Sequence, residues 1–119
     1  MTSDDPRDEH WDRIFKALGH PARRGLLDAL KDAPATTGAL VVRFPDLDRC
    51  TVMQHLGVLE GAGLVVAVRK GRERWNHLNA LPIHDLHERW IGPYAAHAAA
   101  GLGRLRDAVE GEKLPEAAG

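Results

Sequence analysis

Residues 49–55 (RCTVMQH) hold the side chains best suited to chemistry in this chain, and the chemistry is recognition rather than catalysis. Gln54 carries a donor and an acceptor that match the edge of adenine. Arg49 carries the fork that matches guanine, and Thr51 or Met53 can meet a thymine methyl group. Cys50 is a small residue in the same turn, and His55 is expected either to donate to a phosphate or to pack under the element that follows. These residues surround Val52, Leu56 and Leu59, whose steps of four and three mark the buried stripe of one helix. The start of a helix also carries partial positive charge, which suits phosphate. Taken alone, the same pattern would equally describe a plain solvated helix face.

A second cluster changes the balance. RKGRER (69–74) places Arg69, Lys70, Arg72 and Arg74 in six residues, against the single acid Glu73. A basic loop is usually only solvated. Directly after a recognition-type helix, however, its cations are positioned for phosphates or a narrow minor groove. The partner implied is double-stranded DNA.

Several elements must position these residues. Trp11, Ile14, Phe15 and Leu18 recur at helical steps, which predicts a helix over 9–18 ended by Gly19. Pro21 opens a second helix with Leu26, Leu27 and Leu30 on its apolar face. Thr36 caps a short third helix holding Leu40 and Val41, ended by Phe44–Pro45, and Asp48 caps the fourth, about 49–61. Gly61 and Gly63 stop it. Leu64–Val68 and Trp75–Leu78 then read as a two-stranded hairpin with a basic turn around Gly71. Asn76 conflicts with this reading, because it shares a strand face with Leu78, where an apolar residue would sit more easily. Ile83, Leu86, Trp90, Tyr94, Leu102, Leu105 and Val109 mark a long last helix that Gly92–Pro93 must kink. The fold class predicted is mainly α: a winged helix-turn-helix of four helices, a two-stranded β wing and a long C-terminal dimerisation helix. The expected organisation is one domain over 9–110, with loose ends at 1–8 and 111–119.

The totals set bounds. A chain of 119 residues suits one domain with a modest core. A net charge of -1 argues against a wholly basic nucleic-acid glue, so any basic surface must be local. One cysteine excludes an internal disulfide and a Cys-rich zinc site. The N-terminus is acidic, which predicts no signal peptide, and no apolar run reaches the roughly 18–20 residues of a membrane span. A cytoplasmic protein without a cofactor is expected. No phosphate-binding glycine loop, nucleophile elbow or His-Glu-x2-His helix is present, so the reading is not an enzyme.

The stretch from His20 to Leu78 resembles the ArsR-like winged-helix repressors of bacteria. HPARRGLLDAL (20–30), TVMQHLGVLEGAGLV (51–65) and the wing around Gly71 carry the likeness, which extends over about 9–110. The chain is similar to the branch without an evident metal site, whose last helix bears a pattern like Trp90 and Tyr94. The resemblance implies a homodimer that represses an operator and releases it on a signal, with an unknown small molecule or protein as effector. One departure is Asp48, where many relatives have Ser or Thr at the recognition-helix cap, because its charge would lie close to the DNA backbone. The family's Cys-x-Cys site is missing from TTGALVVRF (36–44). Its other site, Asp-x-His followed by a second pair, is matched only by Asp85, His87 and His97, with Ala100 where a ligand belongs. A metal-responsive alternative would use those three residues, with His84 nearby. A redox-responsive one would use Cys50, whose thiol a helix start and Arg49 can activate. Some winged helices bind proteins instead, a further alternative that the basic wing argues against.

Trp11, Ile14, Phe15 and Leu18 form one apolar stripe, and Trp90, Tyr94, Leu102 and Leu105 another. Packing both across a two-fold axis would bury them in a dimer, although part of each must close the chain's own core.

Overall fold

A computed structural model describes residues 6–118, with side-chain environments over 7–111. Helix α1 (Pro6–Leu18) begins earlier than its apolar pattern predicts. Proline suits a first helical position because its missing N–H has no partner there anyway, and Asp8 and Glu9 complement the positive end. The predicted loose segment 1–8 is therefore helical from Pro6, and residues 1–5 lie outside the described residues.

Helix α2 (Pro21–Leu30) is capped by His20, whose Nδ1 accepts from the Ala22 N–H at 3.0 Å. Its first turn closes off α1. Arg23 donates to the carbonyls of Ala17 (2.8 Å) and Lys16 (2.9 Å), and Arg24 to that of Leu18 (2.8 Å). Two guanidinium groups thus satisfy the carbonyls that end α1.

The helix-turn-helix follows as expected. In α3 (Thr37–Arg43), Thr36 Oγ1 accepts from the Ala39 N–H at 3.1 Å. In α4 (Arg49–Gly61), Asp48 Oδ1 accepts from the Thr51 N–H at 2.7 Å. The end of α4 is tightly specified. Gly63 has φ +76°, its N–H bonds the Glu60 carbonyl, and the Leu64 N–H reaches back to the Leu59 carbonyl, both at 2.9 Å. This pair of bonds is a Schellman motif, which needs a residue free to adopt positive φ.

The chain then enters the wing, β2 (Val65–Lys70) and β3 (Glu73–Leu78), an antiparallel pair with Lys70 opposite Glu73. The predicted six-residue basic turn shrinks to Gly71–Arg72, because Gly71 takes φ +62° and lets Arg69, Lys70 and Arg74 join the strands. The sheet also has a third strand that the sequence reading lacks. β1 (Ala35–Thr36) pairs with β3, in the order β1-β3-β2. Asn76 explains it. Its side chain is wholly buried, and Nδ2 donates to the Ala35 carbonyl (3.2 Å) and to Thr37 Oγ1 (3.1 Å). The residue that looked misplaced in a hairpin is the tie between the wing and the start of α3.

The core of this first unit, which extends through Ile83, is built by Ile14, Leu26, Leu30, Leu40, Val52, Leu56, Leu59 and Leu64, each 2% exposed or less. Each such side chain contributes about 1.5–3 kcal/mol by leaving water. Ile14 therefore belongs to this core and is withdrawn from the expected dimer stripe. It points inward with Ala17, whereas Phe15 on the next face is 46% exposed.

The boundary between the two units falls inside α5 (Leu81–Leu86), after Ile83. The second unit continues as a π-helical turn (His87–Ile91) and α6 (Gly92–Ala118). The expected disturbance at Gly92–Pro93 takes the form of that π turn, in which the Gly92 N–H bonds the His87 carbonyl. Pro93 has no N–H for the ordinary ladder, and a one-residue widening absorbs the missing bond. Helix α6 also runs through the predicted loose tail to Ala118, since the segment after Gly111 is rich in helix-forming residue types; residue 119 lies outside the described residues. Among the described residues, no helix is long and apolar enough to cross a membrane.

Candidate nucleic-acid interface

Helix α4 sorts its side chains as its spacing predicts. Val52, Leu56 and Leu59 are buried, whereas Arg49, Cys50, Met53 and Gln54 are exposed and Thr51 is half-buried. The amino end of α4 therefore presents the hydrogen-bonding set outward. Asp48 is held below the usual carboxylate range, chiefly by the hydrogen bond from the Thr51 backbone N–H. Its charge is committed to the helix end, which moderates the repulsion expected toward a DNA backbone.

The two basic clusters meet. One groove of about 370 Å³ is lined by Arg49 and Met53 of α4, by Thr36 and Gly38 at the start of α3, and by Arg69 and Arg72 of the wing. Arg69 lies directly opposite Arg74 across the hairpin, an arrangement that like charges disfavour. Glu60 relieves it by forming an ion pair with Arg74, through Oε2 and Nη2. Arg74 thus braces the wing against the last turn of α4 while also lining the groove. Lys70 Nζ lies 5.9 Å from the centre of the Trp75 ring, the diagonal neighbour across the strands, while remaining exposed.

The His55 side chain is half-buried and turned to α2, with Nδ1 3.2 Å from Arg23 Nη1 and its ring 4.5 Å from that of His20. Burial lowers its pKa, and the charges of His20 and Arg23 lower it further.

Glu60, Asn76 and Arg23 tie together the elements of the candidate site, and the sequence reading does not single them out as such. Only Asn76 left a signal there, as a polar residue on a buried strand face.

In the second unit, Tyr94, Leu102 and Leu105 are each about 60% exposed, and Ile91 and Val109 about half. The Trp90 and Tyr94 rings lie 6.4 Å apart and nearly parallel, with the Arg89 guanidinium 4.2 Å from the Trp90 ring centre. Asp85, His87 and His97 are all exposed, and His87 lies 3.8 Å from Glu88. No three His, Cys, Asp or Glu side chains converge on a metal-sized site among the described residues.

Comparison with known proteins agrees with this geometry. Residues 18–68 match a helix-turn-helix domain family. The chain is 38% identical over 86 residues to the uncharacterized HTH-type transcriptional regulator YuzN of Bacillus subtilis (strain 168), which covers 67% of this chain and 94% of that protein. It is 32% identical over 72 residues to the transcriptional repressor SdpR of the same organism, covering 60% of this chain and 79% of that one. The crystal structure of an ArsR family transcriptional regulator superposes with a TM-score of 0.68 at 28% identity, covering 82% of this chain and 97% of the other.

Proposed function

Because the chain belongs to the ArsR-like family of winged-helix transcriptional regulators, we propose that it acts as a homodimeric repressor on an inverted-repeat operator. The observation that carries this reading is the groove joining Arg49 and Met53 of α4 to Arg69 and Arg72 of the wing. Helix α4 enters the major groove, with Gln54 and Arg49 reading base edges and Thr51 or Met53 against thymine methyls. Cys50 packs beside them. Arg69, Lys70 and Arg72 hold the phosphates alongside.

The exposed apolar stripe of α6 supports the dimer. In this reading a second copy covers Trp90, Tyr94, Leu102 and Leu105 of the second unit, and also covers Trp11, Phe15 and Leu18 of α1. A two-fold axis then sets two recognition helices about one DNA turn apart, ~34 Å. A small molecule or protein that alters the angle between subunits lowers affinity, because both helices no longer fit together.

Selection of bound duplexes from a random pool, followed by footprinting, tests this. The expected result is an inverted repeat protected on one face, with binding that weakens steeply as salt rises. Failure to enrich any sequence, or affinity indifferent to salt, counts against it and favours a protein-binding winged helix.

A further inference from the structure

Arg23 connects three helices. Its Nε and Nη2 donate to the carbonyls that end α1, and its Nη1 meets His55 Nδ1 on the recognition helix at 3.2 Å. Arginine has only donors, so Nδ1 must offer its lone pair and the His55 ring must be neutral, protonated on Nε2. The neighbouring His20 accepts at Nδ1 from the Ala22 N–H. A proton added to His55 Nδ1 would face a guanidinium with no acceptor, 4.5 Å from a second imidazole.

We propose that Arg23 and His55 form a proton-sensitive link that seats the recognition helix on α1 and α2, so that DNA affinity falls as the pH drops and His55 takes up its second proton. The charged groups acting on the ring are His20 and Arg23 of α2. Helix α1 meets the cluster through the Lys16 and Ala17 carbonyls, and no charged group of α1, α3 or β2 acts on the ring. No carboxylate is paired with His55 among the described residues that would welcome the extra charge. Both residues are positioning residues, since each acts on DNA through the placement of α4. The inference rests on α4 being the DNA-reading helix.

The sign of the effect separates it from simple electrostatics. Protonating histidines adds positive charge, which alone would tighten binding to a polyanion at low pH. The link requires the opposite. Once the pH is below the His55 pKa, each chain must release one proton to bind, which weakens affinity by up to about tenfold per pH unit per chain.

Two measurements on the full chain test it. In the free protein, NMR titration is expected to show the His55 ring changing state below its ordinary value, with the α4 amides moving in step. Arg23→Met should raise that midpoint and uncouple the amides. With the selected duplex, wild-type affinity should hold from about pH 8 down to the ordinary histidine value of 6.5 and fall at lower pH, once the pH passes below the His55 pKa. His55→Asn, whose Oδ1 can take the place of Nδ1 but not its proton, should flatten the profile, and His55→Gln serves if the Asn variant does not fold. A His55 ring that titrates normally while α4 stays still overturns the link, as does an Asn or Gln variant that keeps the wild-type profile. Absence of any duplex binding at about pH 8 refutes the DNA-reading assignment instead, and the titration in the free protein still decides the link.

Discussion

The first unit and the second differ in where most of their leucines lie. In the first, the leucines of α2, α3 and α4 are buried, and two polar side chains tie its elements together: Asn76 through Nδ2 to Thr37, and Arg23 to the α1 carbonyls. In the second, Tyr94, Leu102 and Leu105 stand in solvent on a single long helix. A region whose elements are tied to one another can hold a binding surface rigid. A region that leaves large apolar side chains exposed is built for contact with something else.

The largest effect expected from this contrast is on the second unit. Changing Leu102 and Leu105 to Glu should leave the first unit folded yet make the protein monomeric in sedimentation, with operator affinity lowered by roughly 10²- to 10⁴-fold through lost bivalency. An unchanged mass and affinity would remove the contrast between the two units. Next is Asn76→Ala, which strands the Thr37 hydroxyl and the Ala35 carbonyl and should cost about 1–3 kcal/mol in denaturant unfolding. Leu102→Ala should cost far less there, because that side chain is exposed.

Gln54→Ala should relax base preference at one or two positions by roughly 1–3 kcal/mol, whereas Arg72→Ala should weaken all sequences alike and lower the salt slope. Equal losses across sequences for Gln54→Ala would contradict base reading there. The smallest effect concerns Asp48. Its carboxyl has a lower pKa folded than unfolded, so its stabilisation is complete above the unfolded value of 3.8 and is lost as the pH falls through the folded one. In Asp48→Asn, acid unfolding should lose that component.

What the sequence reveals here is what lies within a turn or two of itself. Thr36, Asp48 and Gly63 announce the helix ends because cap and capped group are two or three residues apart. The stripe of Val52, Leu56 and Leu59 is legible because one helix repeats itself. The links that set the site's geometry are distant: Glu60 and Arg74 are 14 residues apart, His55 and Arg23 32, and Asn76 and Thr37 39. No periodicity connects such pairs, so the partners of His55 and Arg74 within the chain stay hidden in the sequence. Ile14 illustrates the same limit, since an apolar stripe does not say which of its members face inward.

The joint between α4 and the wing sets a fixed gauge. Only three residues separate them, and two backbone bonds lock the reversal while Glu60 and Arg74 tie it from the side. In the proposed complex, substitutions along 49–54 would therefore change which bases are preferred without changing the distance from those bases to the phosphates beside the hairpin. One extra residue at Gly63 would break that ruler, and no adjustment of the side chains on either part would restore it.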